Sequence, residues 1–182
     1  MPQPEGNWLD GARRLDEKVL AAIYDAFSRA LFCYAYRLLG DREAAEDIVA
    51  ETFHRFLRSI GAGGGPNEHL KAYLYRIAHN LIVDHFRRRP PIELNLDWEN
   101  ITSHDLSEDP VKEIDHSLEQ AKVRQVLWKL TPDQRQVVVL KYFEGLSNDE
   151  ISEILGKPVG AVKSLQHRAL NALRRMFTPA EA

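Results

Sequence analysis

The sequence predicts an all-α fold of two small helical domains joined by an acidic linker, and three observations lead there. Apolar residues recur at helical spacing almost throughout, with no alternating run that would mark a strand. Helix starts and stops of recognisable chemistry punctuate the periodic segments. Charge is segregated along the chain into basic, acidic and basic blocks. The 182 residues suffice for one medium domain or two small ones, and a 44% hydrophobic content suits a globular chain.

Each element has its own justification. A first helix is predicted from about Leu15 to Leu39, with Tyr24, Phe27, Leu31, Tyr34, Ala35 and Leu38 on one face. Gly40 ends it as a left-handed cap, and Asp41 is placed to cap the next helix. That second helix carries Ala44, Ala45, Ile48, Val49, Thr52, Phe53, Phe56 and Ile60 as a continuous stripe. Residues Gly61 to Pro66 form a flexible break, because three consecutive glycines resist any regular element. A third helix follows from about Glu68 to Arg88, with Leu70, Leu74, Ile77, Leu81 and Phe86 apolar, and Pro90-Pro91 stops it. From Pro91 to about Val111 no period is sustained and acids accumulate, so this stretch reads as a linker. Further helices are expected at roughly 111–129, 132–143, 147–155 and 159–176. Thr131-Pro132 is a helix start with proline at the first helical position, and Ser147 with Glu150 is a capping box. The domains therefore span 15–90 and 112–177, with 1–14 as an extension, 91–111 as the linker and 178–182 as a tail.

Composition excludes several classes. No stretch reaches the ~18 uninterrupted apolar residues of a membrane helix, so no membrane insertion is expected. The polar N-terminus lacks the apolar core of a secretory signal, which predicts a cytoplasmic protein. A lone cysteine, Cys33, rules out an intramolecular disulfide and a cysteine-based zinc cluster, and no metal or cofactor is expected. The net charge of −3 argues against nucleic acid until it is resolved along the chain. Between Lys71 and Arg89 five cations stand against one acid; between Pro90 and Ala121 nine acids stand against Lys112 alone; between Lys157 and Phe177 five cations meet no acid. The −3 is a cancellation.

The segment Gly145 to Leu173 has the grammar of a helix-turn-helix. A short helix bears Ile151, Ile154 and Leu155, Gly156-Lys157-Pro158 makes the turn, and a second helix turns Val162, Leu165, Ala169 and Leu173 inward. Its outward candidates are Ala161, Lys163, Ser164, Gln166, His167 and Arg168. Lys163 and Arg168 can reach guanine acceptors or phosphates, and Gln166 can offer an amide pair to adenine. A plain helical hairpin with a solvated basic face is the alternative reading of this segment.

Two segments carry a resemblance. Leu130-Thr-Pro-Asp-Gln-Arg-Gln-Val-Val-Val-Leu-Lys-Tyr-Phe-Glu-Gly-Leu-Ser147, with Glu150-Ile151 and Gly156-Lys-Pro-Val-Gly-Ala-Val-Lys-Ser164, resembles region 4 of bacterial sigma factors of the extracytoplasmic-function (ECF) group of the sigma-70 family. Asp47-Ile-Val-Ala-Glu-Thr-Phe53 resembles the region 2 helix that docks on RNA polymerase. Ala72-Tyr-Leu-Tyr-Arg-Ile-Ala-His-Asn-Leu-Ile-Val-Asp-His-Phe-Arg-Arg-Arg89 resembles the helix that melts and reads the −10 element. The resemblance implies a non-enzymatic transcription initiation factor whose partners are core RNA polymerase (the clamp helices of its largest subunits), promoter DNA and an anti-sigma factor.

It also distributes roles. Asp47 and Glu51, one helical turn apart, would meet core polymerase; without the resemblance they are simply an exposed acidic face. Lys71, Arg76, Asn80, Asp84, Arg87 and Arg88 would read −10 DNA, with Tyr73, Tyr75 and His79 supplying aromatic surface for an unstacked base; core packing is the alternative reading of the aromatics. The loop from Gly61 to Glu68 would help form the base pocket, and its triple glycine departs from the family pattern. Lys157, Ala161, Lys163, Ser164, Gln166, His167 and Arg168 would face the −35 element. Here Ala161 stands where threonine is common and Leu165 where arginine is common, so the −35 preference is this chain's own. The acidic linker reads either as a solvated tether or as a mimic of RNA in the polymerase exit channel.

Two alternatives come from other classes. Glu51-Thr-Phe-His54 and Glu113-Ile-Asp-His116 are Glu-x-x-His pairs of the kind that di-iron bundles use. A conventional helix-turn-helix repressor would bind duplex DNA alone and would have no need of an aromatic, basic helix at 70–89.

Overall fold

A computed structural model describes residues 5–88 and 121–177. The expected linker 91–111, with Glu113 and His116, lies outside the described residues. Everything described is helix or short connection, and no strand occurs among the described residues.

The first domain is built from α1 (Glu5–Arg13), α2 (Glu17–Leu39), α3 (Arg42–Gly61) and α4 (Leu70–Arg88). Helices α2, α3 and α4 pack mutually, with Leu31, Tyr34, Leu38, Phe53, Phe56, Leu70, Leu74 and Ile82 filling the space between them. Gly40 adopts φ 71° and returns its N–H to the Tyr36 carbonyl at 2.9 Å, the left-handed termination expected of it. Asp41 caps α3 by accepting from the Ala44 N–H at 2.9 Å. Thr52, at the centre of the apolar stripe, satisfies its hydroxyl on the Ile48 carbonyl.

One element was not foreseen. The sequence assigned no role to the extension 1–14, and in the fold α1 packs on α2, burying Leu9 and Ala12 and setting Trp8 edge-on to Phe27 at 5.8 Å. Gly11 permits this approach, since a Cβ there would lie 2.6 Å from Val19. Asp16 then caps α2 through the Lys18 and Val19 amides, so the helix starts at Glu17 rather than Leu15.

The second domain holds helical residues 121–128 (α5), α6 (Pro132–Val138), α7 (Asn148–Leu155) and α8 (Val159–Phe177). Thr131 with Gln134, and Ser147 with Glu150, form reciprocal capping boxes. Helix α6 does not run on regularly to residue 143: it opens into a π-helical segment, Val139–Phe143. The widened turn ends at Glu144, whose N–H reaches back to the Val139 carbonyl, and Gly145 at φ 68° turns the chain toward α7.

Arg135 fastens α5 to α6. Its Nε donates to the Leu127 carbonyl at 3.0 Å, and Nη2 to the carbonyls of Trp128 and Leu130 at 3.3 Å each. The guanidinium lies 4.0 Å from the centre of the Trp128 ring. Burial lowers its pKa to about 10, so it stays cationic at neutral pH. Replacing Arg135 with Ala strands these carbonyls and should reduce unfolding free energy by about 2–3 kcal/mol, with Arg135→Lys restoring only part because it lacks the planar fork. Chemical denaturation followed by tryptophan fluorescence checks this; equal stability of all three chains would contradict it.

Candidate nucleic-acid interface

The helix-turn-helix is α7, the turn at Gly156–Pro158, and α8. Gly156 sits at φ 61° as the left-handed cap of α7, and the Ser152 hydroxyl donates to the Lys157 carbonyl at 2.5 Å, closing the turn. Val162, Leu165 and Ala169 of α8 are buried against α6 and α7. Ala161, Lys163, Ser164, His167 and Arg168 are exposed on the opposite side, so a continuous cationic and polar face projects from this helix. Ser164 donates its hydroxyl to the Gly160 carbonyl, and His167 pairs with Asn171 at 2.9 Å.

Two residues expected on that face are placed otherwise. Gln166 is half-buried and donates its amide to the Tyr142 hydroxyl at 3.0 Å, which ties it to the π-helical segment. Lys157 forms an ion pair with Asp133 at 3.2 Å, so its charge is partly neutralised within the domain.

In the first domain Asp47 is exposed on α3, and Glu51 is half-buried one turn later. Glu51 accepts from Arg55 Nε at 2.8 Å and lies 3.4 Å from His54 Nδ1. The Arg55 hydrogen bond, with help from His54, lowers the pKa of Glu51. The first Glu-x-x-His pair is thus spent on a surface cluster, and no group of three metal-competent side chains occurs among the described residues.

Helix α4 is more divided than its composition suggested. Arg76, Asn80, Arg87 and Arg88 are exposed, and Asp84 is half-buried and pairs with Arg87 at 2.6 Å. Arg76 lies over the Tyr73 ring at 5.5 Å, and both border a cavity of about 180 Å³ with Gly65, Pro66, Glu68, His69 and Ala72. Tyr75 and His79, expected to offer stacking surface, are instead buried. Tyr75 has no exposed surface and sits edge-on to Tyr34 at 5.3 Å. His79 is 6% exposed, with its Nδ1 3.1 Å from the Tyr34 hydroxyl.

Their burial has a cause in the second domain, whose α7 packs along α4. The turn after the π-helical segment inserts Glu144 between the domains, where the residue is 8% exposed. Tyr75 donates its hydroxyl to Glu144 Oε2 at 2.5 Å, and Arg37 Nη1 donates to Oε1 at 3.1 Å. Lys71 Nζ donates to the Glu144 carbonyl, which occupies one of the cations expected on DNA. Arg37 also covers the Phe143 ring at 4.5 Å, and Arg124 covers Tyr36 at 4.5 Å. Burial raises the Glu144 pKa, outweighing the opposing pull of the Tyr75 hydrogen bond and the Arg37 and Lys71 charges. Burial beside that acid also raises the Tyr75 and Tyr34 pKa values and keeps both phenols protonated. The carboxyl-bearing Glu153 of α7 lies at the edge of the cavity that Arg76 and Tyr73 border.

Comparison with known proteins follows these halves. The sigma-70 region 2 model matches residues 23–90, and the model of sigma-70 region 4 matches residues 120–173. The ECF RNA polymerase sigma factor SigW of Bacillus subtilis is 36% identical over 174 residues, covering 89% of this chain and 90% of SigW. The chain belongs to the ECF sigma factors. BldN of Streptomyces coelicolor, another ECF sigma factor, is 34% identical over 170 residues; these span 93% of this chain and 64% of BldN. SigL of Mycobacterium tuberculosis is 31% identical over 166 residues, covering 91% and 93%. Among solved structures, CnrH in complex with the cytosolic domain of CnrY aligns with a TM-score of 0.73 at 23% identity, covering 96% of this chain and 97% of CnrH. RpoE in complex with the anti-sigma factor NepR from Bartonella quintana gives 0.67 at 24% identity, covering 88% and 98%. Both share the all-helical fold. This sigma factor is thus an initiation factor and not an enzyme, and no helix among the described residues is long and apolar enough to cross a membrane.

The buried imidazole sets a pH dependence. Burial lowers the His79 pKa from 6.5 to about 4. Between these values the unfolded chain binds a proton that the folded chain does not, so stability falls as pH drops from 6.5 toward 4. The full loss is about 3 kcal/mol at ~1.4 kcal/mol per pKa unit. His79→Gln should remove this component, so that the gap between the two chains narrows on acidification. Urea titrations of both chains across that pH range check it, and parallel curves would contradict it.

Proposed function

We propose that this sigma factor binds core RNA polymerase and directs it to promoters through −10 and −35 elements. Residues 15–90 act as region 2 and 112–177 as region 4, joined through 91–111, and the chain acts in the cytoplasm. The observation that carries this reading is the exposed cationic face of α8, set on a helix-turn-helix whose other side is fully packed. Lys163 and Arg168 supply phosphate and guanine contacts there, while Ser164 and His167 complete the −35 surface. Gln166 and Lys157 contribute less, being engaged by Tyr142 and Asp133.

In region 2, Asp47 and Glu51 offer two carboxylates of one face to the polymerase clamp, and Arg76, Asn80, Asp84, Arg87 and Arg88 face −10 DNA. The domain interface bears on this role. Lys71 is held by Glu144, and the Glu153 carboxylate stands where a phosphate would approach the cavity. Reading of the −10 element by α4 therefore requires α7 to leave it, and docking on polymerase is the step that separates the domains. The α8 face is exposed before and after that step. An anti-sigma factor is the fitting inhibitor, a reading supported by the Bartonella RpoE, which was solved in complex with the anti-sigma factor NepR.

Lys163→Ala combined with Arg168→Ala should abolish transcription from −35-dependent promoters, while core polymerase still co-purifies because Asp47 and Glu51 are untouched. In vitro transcription with core enzyme on a promoter library reads both quantities. Undiminished −35-dependent transcription would contradict the assignment of α8.

A further inference from the structure

The glycine-rich loop between α3 and α4 poses a physical problem for a base-reading pocket. Gly63 and Gly65 take positive φ values of 77° and 95°, and even His69 sits at φ 55°. Such a loop has more conformations to lose than any other composition, yet it walls the cavity that Tyr73 and Arg76 border. Its backbone hydrogen bonds lie at its start, where the Gly63 and Gly64 amides return to the carbonyls of Ile60 and Ser59. Beyond them Gly65 packs against the Ile60 side chain and Pro66 is buried.

A polar hold on this second half comes from α1. Arg13, in its last turn, donates through Nη2 to the Pro66 carbonyl at 2.9 Å and to Asn67 Oδ1 at 2.8 Å. A planar guanidinium fixes two acceptors in one geometry, which an ammonium does not. Helix α1 can act as a fixed post because Leu9 and Ala12 are buried in the first-domain core and Gly11 lies tight against Val19. A cation also suits the C-terminal end of a helix. The region 2 model begins at residue 23, so Arg13 lies outside the matched region while its acceptors Pro66 and Asn67 lie within it.

We infer that Arg13 is a positioning residue for −10 selectivity: it fixes the Gly63–Asn67 loop, and through it the shape of the pocket that receives an unstacked promoter base. The N-terminal helix thereby acts on DNA recognition without touching DNA. This rests on the promoter-reading function proposed above.

The test uses the full chain, with Arg13→Ala, Arg13→Lys and Asn67→Ala. Amide hydrogen exchange reads the loop without polymerase: exchange across residues 63–68 should accelerate in Arg13→Ala and Asn67→Ala, and unchanged exchange in both would overturn the inference. In vitro transcription with core enzyme on promoters randomised in the −10 element reads selectivity. Discrimination at one −10 position should fall by about tenfold, within the range of one base-pair mismatch, with the −35 preference unchanged and Arg13→Lys intermediate. An equal loss on every promoter, or an unchanged −10 spectrum, would reduce Arg13 to a structural contact. Asn67→Ala leaves α1 packing untouched, so it decides the matter if Arg13→Ala proves unstable. A wild-type chain that transcribes no library member would overturn the promoter reading itself, while exchange still decides whether Arg13 holds the loop.

Discussion

Glu144 is a carboxylate that only the other domain can satisfy. Taking it out of water costs several kcal/mol, of which two hydrogen-bond donors and a nearby ammonium return only part. Its raised pKa records that shortfall. The arrangement around it follows from the same constraint. Tyr75 and Tyr34 are buried and protonated, Lys71 is drawn away from solvent, and α7 is brought along α4. A purely apolar interface of similar extent would hold the domains together more tightly. A buried acid gives a specific seating with little net energy, which suits a contact that must be undone. The acid reaches this position because the π-helical segment Val139–Phe143 widens the end of α6 and Gly145 turns the chain beyond it.

Much of the fold was legible in local chemistry. Gly40, Asp41, Thr131-Pro132 and Ser147-Glu150 acted as the caps their residue types predict, because capping is decided within four residues. The stripe from Ala44 to Ile60 packed as its period requires. What escaped was set by tertiary contact. Helix α1 is too short and too glycine-rich to announce itself, and it exists through Leu9, Ala12 and Trp8 packing on α2. The π-helical opening of α6 has no periodic signature over five residues.

The candidate site divides in the same way. The α8 face was readable because burial of Val162, Leu165 and Ala169 forces Lys163, Ser164, His167 and Arg168 outward by helical geometry. Gln166 lies at the edge of that face, and its engagement by Tyr142, twenty-four residues away, could not be read from spacing. Tyr75 and His79 were expected to meet DNA from the role the resemblance implied, with core packing as the alternative, and they lie on the side of α4 that meets α2 and the second domain. The basic, acidic, basic charge order pointed toward nucleic acid where the net charge of −3 did not.

The central claim is that the two DNA-reading halves are closed on one another around Glu144 and separate when polymerase binds. Pulsed electron–electron distance measurement tests it directly, with spin labels at Arg58→Cys on α3 and Arg175→Cys on α8 in a Cys33→Ser background. The account predicts one narrow distance in the free chain, replaced by a different distance on addition of core RNA polymerase. A broad distribution in the free chain, or the same narrow distance persisting in the polymerase complex, would contradict it.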